Sequence, residues 1–276
     1  MKELLKTDLR RMVKDKLFLI AIIVGLVFAT STPLMYKGLI DMLDNEAGAD
    51  IFGALMNSKT ILGSSFSPMN NFGLILPILI AIVIYKDISY GTIRNKIISG
   101  KSRISIYLSL FISGAILMGG CMLIYALIQF GLGSLLLEYS PTVNLVDDIP
   151  FVILTLLFGL LSYLFITAVL VFLCTNLKNV GGAIVLYFGI TFVLMIIGSI
   201  TSLAYTTIEM MDGNKTLITV FEFLSNINIL YHLSSVIGYV ESYTNTQIFY
   251  IIFDTVVFSG VITLLGILTF RKKDLK

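Results

Sequence analysis

Six stretches of this chain run for 14 to 34 residues each, with a single charged side chain among them all. They are residues 17–35, 72–85, 104–137, 150–173, 180–204 and 247–270, and the one charge is Asp254. A helix crossing a bilayer takes about 20 apolar residues. Inside the hydrocarbon a backbone must satisfy its own hydrogen bonds, which leaves helices and closed barrels as spanning structures. Runs this long and continuous point to helices. The expected fold is therefore an all-α integral membrane protein with six transmembrane helices in one domain, residues 1–276.

Composition agrees. The chain of 276 residues is 57% hydrophobic and 13% charged, against about 25% charged in a soluble domain. Its mean hydropathy is +0.96. Six crossings use about 120 residues, so no separate soluble catalytic domain fits. The first run follows a basic segment and lacks a small-x-small cleavage site before Thr32-Pro33, so it reads as a retained anchor and not a signal peptide. The third run exceeds one crossing. It is expected to begin as an extension outside the membrane or to kink near Gly119-Gly120. Cys121 and Cys174 lie in apolar runs, which argues against a disulfide framework or a metal site.

Lysine and arginine set the orientation. Six lie before the first run, five between Lys86 and Arg103, one at Lys178, and four at Arg271, Lys272, Lys273 and Lys276; together they make 16 of the 19. The opposite loops hold only Lys37, Lys59 and Lys215. The positive-inside rule places the 16 in the cytoplasm, with both termini cytoplasmic. The acidic residues show the reverse bias, with Asp41, Asp44, Glu46, Asp50, Asp147, Asp148 and Asp212 among those outside.

Outside the crossings, residues 1–16 alternate apolar and basic at helical spacing. Leu4, Leu5, Leu9, Met12 and Val13 share one stripe, and Lys2, Lys6, Arg10 and Lys14 lie opposite. This is the pattern of a helix lying in the membrane interface among anionic headgroups. Between the second and third crossings, Tyr90, Ile93 and Ile97 recur at helical spacing. A short amphipathic helix near Ser89–Ile98 would bury that face on the membrane domain and leave the other for a partner. Gly100-Lys101-Ser102 imitates the end of a phosphate-binding loop, but Asn95 stands where the motif needs glycine and no strand precedes it. The stretch 205–246 is too polar to span and too apolar to be a free loop, so it is expected to form short outer helices that cap the bundle.

The segment Asp87–Arg103 resembles the cytoplasmic loop between the second and third crossings of ABC-type exporter permeases of the type-2 superfamily. In that family an acidic residue stands four positions before a Gly-Thr pair, and a Ser-Arg pair leads into the third helix. Here these are Asp87, Gly91-Thr92 and Ser102-Arg103. The family more often has Glu where this chain has Asp87, and Lys one to two turns after the arginine, where this chain has Ser109-Leu110. The layout of six crossings, an N-terminal interfacial helix and an outer segment before the last helix is also similar. The resemblance implies a half-transporter. It would pair with a second permease chain, identical or related, and dock a separate cytoplasmic ABC ATPase subunit through a coupling helix. The docking residues it implies are Asp87, Ser89, Gly91, Thr92, Arg94, Lys96 and Arg103. Gly91 would supply backbone freedom and Thr92 a helix cap. The chain itself would bind no cofactor, since ATP and Mg belong to the ATPase. The membrane would be a bacterial inner or plasma membrane, and the substrate a hydrophobic or amphipathic one, such as a peptide, an antimicrobial or a lipid-like molecule. Membrane lipid is the other partner, and nothing points to nucleic acid.

Two polar residues sit inside the apolar runs. A carboxylate at membrane depth costs about 2.5–3.5 kcal/mol on insertion scales. Asp254 is therefore either a substrate contact or proton relay, or a structural group near the outer interface. Gln129 is either a bond to a neighbouring helix or part of the substrate path. Ser109, Ser113, Ala115 and Gly119 read as close helix packing. His232 is the only histidine and is expected to be partly exposed. An intramembrane enzyme is disfavoured: there is no acid pair, no His cluster and no Gly-x-Ser-x-Gly. An ion- or proton-coupled secondary transporter or channel using Asp254 is the alternative reading.

Overall fold

A computed structural model describes residues 1–43, 52, 53, 55–141, 143–211 and 214–273. Asp44, Glu46, Asp50, Asp212 and Lys276, counted above for orientation, lie outside the described residues. Every regular element among the described residues is helical, and six helices are long and apolar enough to cross a membrane. The protein is a multi-pass membrane protein by that measure.

In chain order the helices are α1 (Lys2–Val13), α2 (Lys16–Asp41), α3 (Ser58–Ser65), α4 (Asn71–Ser89), α5 (Thr92–Ile98), α6 (Arg103–Leu136), α7 (Ile149–Asn176), α8 (Val180–Met210), α9 (Lys215–Asn226), α10 (Ile229–Tyr231) and α11 (Asn245–Lys272). A π-helical turn, His232–Val236, follows α10 directly. The spanning helices are α2, α4, α6, α7, α8 and α11. Polar side chains mark their starts. Asp15, Asn70, Ser102, Asn179 and Thr244 each accept a backbone N–H at the head of a spanning helix, satisfying donors that the helix itself leaves orphaned.

Several boundaries differ from the sequence expectation. α2 continues through Pro33 to Asp41. α6 is a single unbroken helix of 34 residues with no kink at Gly119-Gly120. At 1.5 Å per residue it is about 51 Å long, well beyond the roughly 30 Å hydrocarbon layer. Its first turns are nevertheless packed: Ile106, Tyr107, Ser109 and Leu110 are buried against α1 and α11. Ser109 and Ser113 are buried in its packing face, while Ala115 and Gly119 lie half-buried beside it. α7 is the hub: it packs on α4, α6, α8 and α11 and carries no charged residue. α8 and α11 turn long apolar faces outward, including Val185, Phe192, Ile196, Leu203, Val256 and Leu264.

The outer segment before α11 does more than cap the bundle. α9 runs back along α8, and the turn that follows reaches the middle of that helix. Asn228 donates through Nδ2 to the Leu194 carbonyl at 2.6 Å, while its Oδ1 accepts the backbone N–H groups of Leu230 and Tyr231. The Tyr231 hydroxyl meets Ser202 Oγ at 2.9 Å. Gly198 permits this approach, because a Cβ there would stand 2.7 Å from Tyr231 Cβ and 2.9 Å from Asn228 Nδ2. Residues 215–236 thus form a re-entrant hairpin.

α3 is likewise drawn in, wedged against α6 and α7. Its Lys59 ammonium bonds Asp148 at 2.8 Å and the Glu241 carbonyl at 3.0 Å, and lies 4.0 Å from the Phe151 ring centroid.

Candidate functional site

At the end of the bundle that carries α1, four ionised side chains meet beneath α5. The stripe of α1 that faces the bundle is Leu4, Asp8 and Met12, one residue per turn. Val13, expected on that stripe, is exposed instead. Asp8 is 1% exposed. Its carboxylate accepts from Lys96 Nζ of α5 at 2.6 Å and from Ser109 Oγ of α6 at 2.6 Å. Asp87, near the end of α4, is 2% exposed. It bonds Arg11 of α1 and lies 3.5 Å from Lys96 Nζ. Arg11 also stands 3.8 Å from Asp8. Two acids face two bases, so the cluster is electrically neutral, and every member has an opposite charge within reach. That is the condition under which buried ions are tolerated. The cluster ties four helices, α1, α4, α5 and α6, into one rigid corner.

A second pair braces the same corner. Asp15, the N-cap of α2, bonds Lys86 of α4 at 2.7 Å. Burial by itself would raise the Asp15 carboxyl. The hydrogen bonds from Lys86 and from the Leu17 N–H, together with the charges of Lys86 and Arg11, outweigh it and hold the group below the ordinary carboxylate value.

The docking residues implied by the resemblance divide into two sets. Asp87 and Lys96 point inward, and their charges meet within the cluster. Arg103 donates to the carbonyls of Arg271 and Lys273 at 2.7 and 2.8 Å, so it caps the end of α11. Thr92 is the first residue of α5 and not its cap. Gly91 holds the N-cap position in the left-handed region, at φ 68°, where glycine carries no Cβ penalty. α5 begins at Thr92, three residues later than Ser89, because α4 runs on through Ser89.

The open face of α5 carries Arg94 and Ile98, and Tyr90, the C-cap of α4, stands exposed just before it. Tyr90 and Ile98 are each 75% exposed, and Arg94, Asn95 and Ser89 are exposed beside them. Tyr90, expected on the buried face with Ile93 and Ile97, is exposed instead; Ile93 alone of the three is fully buried. Gly100, the centre of the phosphate-loop imitation, has φ 81° and closes the turn between α5 and α6.

Elsewhere the bundle buries two polar contacts. Gln129 of α6 accepts from Ser65 Oγ of α3 at 2.6 Å, so its partner is a short outer helix and not another crossing. Asp254 faces His232, with Nε2 3.4 Å from Oδ2 and both side chains fully buried. This corrects the expectation of a partly exposed histidine. Asp254 lies nine residues into α11, about 14 Å along its axis, and so is not at the helix end. The residues that sequence reasoning missed are Asp8, Arg11 and Asp15. The signal for Asp8 is its spacing, four residues from both Leu4 and Met12 on the stripe that faces the bundle.

Between α7, α8, α11 and the hairpin lies an apolar chamber of about 320 Å3, open on one side where Ile197 and Leu224 are exposed, and lined also by Phe165, Leu194, Ile229 and Phe258 among others. It adjoins a second of about 330 Å3 that shares Phe165 and Leu194. Among the described residues, no cluster of three or more His, Cys, Asp or Glu side chains could hold a metal ion. No family model, curated protein or solved structure matches the chain.

Proposed function

We propose that this chain is the membrane-spanning permease half of an ATP-driven exporter, powered by a separate cytoplasmic ATPase that seats on α5. The observation that carries the reading is α5 itself. A seven-residue helix outside the spanning bundle is pinned on one face by a buried ion cluster and left open on the other. The open face carries Arg94 and Ile98, with Tyr90 exposed just before the helix, and Tyr and Arg are enriched in interface hot spots. A push on that face would pass through the cluster to α1, α4 and α6 as a rigid unit, which is how a docked motor moves crossings. The excess of Lys and Arg at this end supports a cytoplasmic location; a bacterial inner or plasma membrane is what the resemblance to the exporter permeases implies. A second permease chain, identical or related, would complete the path. The long lipid-facing surfaces and the apolar chamber favour a hydrophobic or amphipathic cargo, peptide or lipid-like.

The test is co-purification from native membranes followed by an ATPase assay. The wild-type chain is expected to bring down a stoichiometric ATPase. Arg94→Glu and Ile98→Glu change only exposed side chains, so they should leave folding intact and reduce ATPase recovery at least tenfold. Equal recovery from wild type and variants would remove α5 as the docking site.

The buried Asp254–His232 contact favours a second reading, an ion- or proton-coupled transporter or channel. The purified chain in liposomes separates the two. Transport driven by an ion gradient without ATPase would establish the second, and Asp254→Asn would then abolish it.

A further inference from the structure

We infer that the His232–Asp254 contact is a latch, holding α8 and its re-entrant hairpin closed against α11 over the apolar chamber. The inference stands on the geometry of the pair and not on the ATPase reading.

Three observations carry it. First, the pair bridges two separable units. Asn228 and Tyr231 tie the hairpin to α8, and His232 is the hairpin residue whose side chain makes a polar contact with α11. α9, the arm of the hairpin, packs along α8 and turns Leu217, Val220, Phe223 and Leu224 outward, so the hairpin and α8 form one unit. Second, the pair borders the chamber. Asn228 and Phe258 line the cavity, one four residues before His232 and the other four after Asp254. Parting the pair would therefore move α8 and the hairpin away from α7 and α11 along the cavity's length.

Third, Asp254 has no substitute for the imidazole, while His232 is held in place by its own hairpin. His232 Nε2 meets the Asn226 carbonyl at 2.5 Å, so that nitrogen carries a proton, and the same N–H faces Asp254. Both Asp254 oxygens, His232 Nδ1 and the neighbouring Thr255 hydroxyl have no hydrogen-bond partner among the described residues, so the imidazole at 3.4 Å is a close approach and not a formed hydrogen bond. The surrounding elements bring no other charge near. α7 has none, the only acid of α8 is Glu209 at its far end, and α9 holds Lys215 and Glu222 on its exposed side. A carboxyl so placed depends on the imidazole while the latch is shut, and on water or a ligand once it opens. A contact of 3.4 Å with no reserve bonds is easily broken and costly to replace by anything but itself.

The experiment uses the full chain in nanodiscs, with Cys121 and Cys174 replaced by Ala and a single reporter, Ile229→Cys, in the chamber wall. Ile229 is 3% exposed. A small thiol reagent is expected to label it slowly in the otherwise unaltered chain. Asp254→Asn or His232→Gln should speed labelling at least tenfold. The exchange His232→Asp with Asp254→His should restore a slow rate, which a merely destabilised core would not do. Equal labelling rates across these variants would overturn the latch. Should the variants fail to fold, the unaltered chain can still overturn the proposal. Its sole histidine gives one set of ring nitrogen-15 signals, and the latch requires a proton on Nε2. A ring protonated on Nδ1 alone would end the proposal.

Discussion

At the scale of single residues, Asp8 shows how a polar side chain can be built into an apolar face. It occupies the middle of the buried stripe of α1, where a leucine would be the plain choice, and it is kept there by Lys96, Ser109 and Arg11. Removing one member of such a cluster strands the others in a site with little water. Asp8→Leu is therefore expected to destabilise the chain by about 3 kcal/mol, read as a lower thermal midpoint in detergent. Adding Lys96→Leu should recover most of that loss, because an apolar pair can replace a buried ion pair at little net cost. If the double variant is as unstable as the two single losses added together, the pair is not coupled and the cluster is not a unit. Gly198 is the second telling residue. A methyl group there has no room against Tyr231, and overpacking of this kind costs about 1–3 kcal/mol. Gly198→Ala should therefore loosen the hairpin, and limited proteolysis within residues 215–236 would report it.

At the scale of elements, the junction of α1, α2 and α4 is set by charge and is therefore sensitive to acid. Asp15 has a folded-state value below that of the unfolded chain. Its contribution to stability is accordingly present at neutral pH, above the unfolded value of about 4, and is lost as pH falls through the folded value. Thermal midpoints are expected to fall between pH 5 and pH 3, and Asp15→Asn should flatten that fall. An unchanged slope in the variant would assign the acid sensitivity elsewhere. The same junction shows what element-level reading of a sequence can achieve. The existence and sites of α1 and α5 follow from periodicity in residues 2–13 and 90–98. Their orientations do not, because periodicity identifies a stripe without saying which neighbour it meets. Tyr90 was assigned to the buried face on spacing alone. It is exposed because α4 overruns the boundary and Gly91 turns the chain before α5 begins.

At the scale of the whole molecule, the six crossings were legible because bilayer thickness leaves few alternatives for uncharged runs of this length. The re-entrant hairpin was not legible. Its apolar residues fit a capping helix as well as an inserted one, and the contact that distinguishes them, His232 with Asp254, joins residues 22 positions apart on separate elements. The end of the bundle that carries α1 and α5 also receives the ends of α7 and α11. Tyr85 of α4 bonds the Lys178 carbonyl, and Lys273 donates to the Thr175 carbonyl at 2.6 Å. These contacts collect the basic segments at one end whatever the membrane around them. Their charge then sets the orientation of the whole bundle. In a background free of native cysteines, Lys101→Cys is expected to react with an impermeant thiol reagent only in inside-out vesicles, and Lys215→Cys only in right-side-out cells. The reverse pattern would put α5 on the side of the membrane where no ATPase works, and the docking proposal would fall with it. Labelling of both positions from one side would instead break the six-crossing topology, since three crossings, α6, α7 and α8, lie between them and an odd number puts them on opposite sides.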